Sequence, residues 1–182
     1  MFKGTDRAVF LDKIELEGPI YTQIEEAVDF VLRNIRLGAM IDGLVRKERY
    51  ELPPEAIREM IINAHCHRNL LDETCIQVAI YDDRLEVTSP GGLYNGMTYE
   101  EVMNGHSKIR NKGIANIFSQ MGLVEAWGSG IKRILNAAEE YGLPKPRFQE
   151  FDNMFRVELF RNLFPMMEEN RDIGEASEKY RE

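Results

Sequence analysis

Three times in this chain two short strand-like runs face each other across a tight turn, and that repetition restricts the fold more than any other feature. Runs 37–41 and 44–50 flank Asp42-Gly43. The run 75–82 passes through Asp82-Asp83 into a second strand, and 147–151 is followed closely by 154–160. Turn residues between strand-forming runs specify antiparallel hairpins. Within them Ile76, Val78 and Ile80, then Leu85 and Val87, then Phe155, Val157 and Leu159 alternate. Each hairpin therefore has one apolar face to bury. A further, partly alternating strand is expected at 8–17.

Helices separate the hairpins. Pro19 opens one in which Ile20, Ile24, Ala27, Val28, Val31 and Ile35 recur at the 3.6-residue period. Pro53-Pro54 starts the next, expected to run to about Leu70. Thr98 and Glu101 form a capping box for a short helix ending near Gly105. Ile114, Ile117, Phe118 and Met121 mark another, stopped by Gly122. The last begins at Gly128-Ser129-Gly130, buries Ile131, Ile134, Leu135 and Ala138, and stops at Gly142 with Pro144 behind it. The expected architecture is an α/β (α+β) two-layer sandwich, a mixed and mostly antiparallel sheet covered on one face by about three helices. Residues 1–50 read as a connecting segment with strand, helix and hairpin, 51–161 as the domain proper, and 162–182 as a charged tail or linker.

Hydrophobic content of 43% is sufficient for a core. No apolar run approaches the ~20 residues that cross a bilayer, and the start MFKGTDRAVF has no signal-peptide pattern. A cytoplasmic location with no membrane partner is expected. Cys66, between His65 and His67, invites a metal reading, but no second Cys/His pair stands at zinc-ligand spacing. The net charge of -8 opposes DNA binding through bulk electrostatics. Direct contact would fall to Arg46, Lys47, Arg49 and the basic run near 108–112. No G-x-x-x-x-G-K-[ST] and no G-x-G-x-x-G follows a strand, so P-loop and dinucleotide-binding chemistry are excluded for this sequence.

Four short features can carry chemistry. Glu59 and Asn63 stand four residues apart on one helix, one above the other, with His67 a turn further. An amide oxygen can ligate Mg²⁺ while a carboxylate orients and deprotonates a water. Taken alone, the pair reads first as an ordinary solvated helix face. Gly91 and Gly92 follow a strand and allow close backbone approach to a flat ligand. Gly128, Ser129 and Gly130 begin a helix, whose free N–H groups suit an anion. Between them, Lys108, Arg110 and Lys112 sit in a segment suited to a mobile lid. Each of these also has a plain structural reading as turn, cap or solvated loop. Their order carries more than any one of them.

That order resembles the GHKL superfamily of gyrase, histidine kinases and MutL. More closely, PPEAIREMIINAHCHRN, DDRLEVTSPGGL and IRNKGIANIFSQMGLVEAWGSGIKRI look like the RecG-related, transcriptional-regulator domain that follows Schlafen-like AlbA-type DNA-binding domains. The match covers roughly residues 50–160. The resemblance implies a GHKL-ATPase-like fold and the cofactors ATP and Mg. It makes Glu59 the water-activating base and Asn63 the Mg²⁺ ligand. Gly91 and Gly92 would wall the adenine pocket, Gly128, Ser129 and Gly130 would meet the phosphates, and Lys108, Arg110 and Asn111 would form the lid. It also implies DNA contact through other domains of a longer protein, and a possible homodimer. One departure stands out: the superfamily's glycine loop begins with an adenine-binding aspartate, where this sequence has Thr88 and Ser89. The activity expected is weak Mg-dependent ATP hydrolysis in a regulatory domain, without a helicase motor. The alternative is a degenerate scaffold for dimerisation or partner docking that binds no nucleotide.

Overall fold

The computed structural model describes residues 1–42, 45–123 and 130–162. In chain order the elements are α1 (Ile20–Asn34), β1 (Leu37–Asp42), β2 (Val45–Tyr50), α2 (Pro54–His67), β3 (Gln77–Ile80) and β4 (Arg84–Pro90). Then follow α3 (Tyr99–Met103), α4 (Lys112–Gln120), α5 (Gly130–Glu140), β5 (Arg147–Phe151) and β6 (Met154–Phe160). All three expected hairpins form, each antiparallel. The strand expected at 8–17 does not: that stretch is irregular, tied by an isolated bridge between Phe2 and Phe10. Its apolar residues Val9, Phe10, Leu11 and Ile14 remain exposed, so no alternating face is there to be buried.

The main sheet has the order β3-β4-β6-β5, every pair antiparallel, with β1 and β2 forming a separate hairpin. Thus the β4–β6 pairing joins two hairpins that the sequence separates by more than one helix. Ile80, Leu85, Val87, Phe148, Val157 and Leu159 are buried on the helix side of this sheet. The opposite side carries the other parity: Arg84, Glu86 and Thr88 in β4, and Arg156 and Glu158 in β6. This is the mixed α+β sandwich the alternation implied.

Helix α2 is the centre of the helical layer. It packs on α1, α4, α5 and β4, and its buried residues include Ala56, Ile57, Met60, Ile61, Ile62 and Ala64. Helix α1 contributes Ile24, Ala27, Val28, Phe30 and Val31 to the same core, so the first fifty residues and the following segment share one apolar interior. The β1–β2 hairpin docks on the end of α5: the Arg49 guanidinium lies 3.6 Å above the Tyr141 ring and donates to Glu140 O at 3.2 Å. A cation at a helix C-terminus complements its negative end. Arg49 is thereby engaged within the fold. The side chains of Arg46 and Lys47 lie outside the described structure.

Candidate functional site

Because α2 is covered on most sides, Glu59 lies inside the molecule and Asn63 is half-buried beside it. Glu59 is 7% exposed. Asn63 Nδ2 donates to Glu59 Oε1 at 3.1 Å, and Arg133 Nη1 from α5 lies 3.5 Å from Glu59 Oε2. The first residue of α5, Gly130, abuts both side chains. A Cβ there would collide with Glu59 Oε1 and come within 2.6 Å of Asn63 Nδ2. The positive end of α5 thus meets a carboxylate, a favourable charge–dipole arrangement. Asn63 spends its amine end on Glu59, and its Oδ1 accepts no hydrogen bond from a described residue.

Glu59 and Asn63 open on a hollow of about 130 Å³ that is also lined by Gly91, Gly92, Lys108 and Gly130. Its apolar wall includes Met60, Val87, Met97, Ile134, Phe155 and Val157. For scale, a dry cavity of about 150 Å³ in another protein is enough for benzene. The hollow has the volume for a flat ring, and both apolar and polar side chains line it. Exposed residues His106, Ser107 and Lys108 line it too, so it reaches the surface there.

The glycine loop is shaped by close backbone approach. Gly91 has φ +100 and donates to Asn153 O at 2.7 Å; a Cβ on it would stand 3.0 Å from Asn69. At Gly92 a Cβ would collide with Glu150 Oε1, which accepts from Leu93 N at 2.9 Å. Nothing local in the sequence points to Glu150, because it arrives from β5 on the far side of the sheet. Arg133 was equally hidden, because its approach to Glu59 is set by the packing of α5 on α2.

The lid residues divide. Arg110 Nη2 donates to Gly92 O at 2.8 Å, and its guanidinium sits 4.8 Å from the Tyr94 ring centre. Lys108 Nζ donates to Asn95 O at 3.1 Å, while its backbone N–H points to Met97 Sδ at 3.1 Å. The segment therefore clasps the glycine loop. Asn111 is not brought to the hollow: its Nδ2 donates to Arg68 O at 2.7 Å and His65 O at 3.2 Å, closing the C-terminal end of α2. Unsatisfied carbonyls at a helix end account for that role. Gly128 and Ser129 lie outside the described residues.

At the position of the departure, strand alternation separates the two candidates. Thr88 faces the outer side of the sheet, where Oγ1 accepts from Arg156 Nε at 3.3 Å. Ser89 faces inward and lines the hollow. Burial, with Arg110 nearby, lowers the His67 imidazole to about 4, and burial, with Glu59 nearby, raises the Cys66 thiol to about 12. Both are neutral near pH 7. Among the described residues no cluster of three or more His, Cys, Asp or Glu is placed to hold a metal. A cation here would rely on the amide of Asn63 with a single carboxylate and non-protein oxygens, a donor set that suits Mg²⁺.

The arrangement sets an acid–amide helix against a glycine loop across a ring-sized hollow. Residues 73–159 match the family described as "Putative ATP-dependent DNA helicase recG C-terminal". Over that stretch the chain is similar to a RecG-related, ATPase-like domain. Its fold is similar to the crystal structure of the DIP2311 protein from Corynebacterium diphtheriae, with a TM-score of 0.80 and 26% identity. The similarity covers 88% of this chain and 33% of that one, so this chain spans a third of that protein's length. No curated protein matches the sequence. Among the described residues no helix is long and apolar enough to cross a membrane.

Proposed function

We propose that the domain binds ATP with Mg²⁺ and hydrolyses it slowly, as a regulatory module within a longer protein. The observation that carries this reading is the convergence of Glu59, Asn63, Gly91, Gly92 and Gly130 on one hollow. The base would lie against Met60, Val87 and Ile134, and the phosphates toward the open side lined by Lys108 and Gly130. Asn63 Oδ1, left over once its amine end is spent on Glu59, would hold the cation. Bound there, Mg²⁺ would neutralise phosphate charge. Glu59 would hold a water and accept its proton, with Arg133 and Asn63 fixing the carboxylate's orientation. With a hollow of about 130 Å³, below the ~300–1,000 Å³ usual for ligand pockets, a whole nucleotide requires the clasp of Arg110 and Lys108 to open. Slow turnover follows from that gating.

In the full protein, DNA would be contacted by other domains, consistent with the net charge of -8 here. The small hollow also favours a second reading, a docking scaffold that uses no nucleotide. Calorimetric titration with ATP and Mg²⁺ separates the two. The nucleotide reading expects saturable heat that Asn63→Ala weakens at least tenfold (about 1.4 kcal/mol) with the melting temperature preserved. Absence of heat at millimolar ATP for the folded wild-type protein leaves the scaffold.

A further inference from the structure

The hollow is lined by a hydroxyl that no described residue of the protein uses. Ser89 is 4% exposed, lines the hollow, and its hydroxyl makes no hydrogen bond with any described residue. Val87, Phe155 and Val157 surround it on the same side of the sheet. The hydroxyl is therefore open to a ligand atom on the side of the hollow. The neighbouring glycine loop has little else to offer: Gly91 N–H is held by Asn153 O, Gly92 O by Arg110, and Leu93 N–H by Glu150. The Ser89 hydroxyl stands beside this loop as a rotatable group left for a ring to meet.

Building on the nucleotide reading above, we infer that Ser89 reads the base edge and that the site does not distinguish purines bearing an exocyclic amino group from those bearing a keto oxygen. A hydroxyl both donates and accepts, and rotates to suit its partner, whereas an ionised carboxylate only accepts. An amino group can donate to Ser89 Oγ; a keto oxygen can accept from its O–H. A site built on an acceptor alone would reject the keto base by leaving two acceptors face to face. Here either exocyclic group finds a partner in the hydroxyl.

The test compares adenosine and inosine triphosphates, which share sugar and phosphates and have the same ring skeleton. Dissociation constants are measured by calorimetry with Mg²⁺ for the wild type, Ser89→Ala and Ser89→Asp. The wild type should bind both within about threefold, because either partner satisfies the hydroxyl. Ser89→Ala should weaken both by a similar factor, about fivefold to tenfold. Ser89→Asp should favour the adenosine nucleotide by roughly tenfold or more. If Ser89→Asp does not fold, the wild-type ratio and Ser89→Ala still decide. A wild-type preference of tenfold for either nucleotide, or unchanged affinities in Ser89→Ala, overturns the inference while the nucleotide reading stands. If neither nucleotide binds at millimolar concentration, the nucleotide reading fails, and this inference with it.

Discussion

At Gly130 the absence of a single methyl group lets α5 begin against the acid and amide of α2. A Cβ would meet Glu59 Oε1 and Asn63 Nδ2 at once, and neither side chain is free to swing away, since Arg133 and the surrounding helices hold Glu59. Gly130→Ala should therefore cost stability by about 1–2 kcal/mol despite the better helix propensity of alanine. On the nucleotide reading it should also weaken ATP binding by roughly tenfold, since it displaces Asn63, the proposed cation ligand. Thermal melts and calorimetric titration of the same variant check both parts. The glycine was visible in the sequence as a helix-start signal. Its contact with Glu59 was not, because residues 60–129 lie between them along the chain.

Helix α2 brings a different burden to the site, two neutral histidines at its C-terminal end. Burial, with Arg68 nearby for His65 and Arg110 for His67, lowers each ring from 6.5 to about 4. An unfolded chain takes up protons at both rings below about 6.5, whereas the folded chain resists until about 4. Stability from these groups is complete above 6.5 and drains away as the pH falls to 4. The loss is on the order of 2–3 kcal/mol per ring. Urea unfolding between pH 7 and pH 4 should show the midpoint falling, and the paired change His65→Gln with His67→Gln should flatten that slope. A wild-type midpoint unchanged over this range contradicts the assignment. The helix itself was legible from Pro53-Pro54 and its apolar spacing. Its end was not: the structure stops α2 at His67, with Arg68 O and His65 O taken by Asn111.

Across the whole molecule, the sheet separates two kinds of interior. Its helix side is apolar, while its outer side holds Glu86 and Glu158, 2% and 1% exposed, under a cover of arginines. Arg84 lies 2.8 Å from Glu86 and 3.5 Å from Glu158, and Arg147 Nη2 donates to Glu158 at 2.9 Å. Arg156 and Arg7 approach Glu86 at 3.8 and 3.6 Å. Burial alone would raise the Glu158 carboxyl, but Arg147, Arg84 and Arg156 together outweigh it and hold it below its usual range. Glu158→Gln keeps the shape and removes the charge. It should lower stability by about 1–2 kcal/mol, a fall of roughly 2–6 °C in melting temperature, with nucleotide affinity unchanged because the hollow is on the other side of the sheet. What the sequence alone determined is whatever depends on neighbours along the chain. Hairpins at Asp82-Asp83 and before β6, the capping box at Thr98, and the amphipathic helices all follow from local periodicity and turn chemistry. Failure came where locality ended. The strand expected at 8–17 needed a partner it does not have, and Asn111 was drawn to the end of α2, with β3, β4 and α3 between them in the chain. Pairing of β4 with β6, the inward turn of Ser89 against the outward turn of Thr88, and the approach of Gly130 to Glu59 required the packed chain. Those contacts join residues far apart in sequence, and only burial of a shared core selects them.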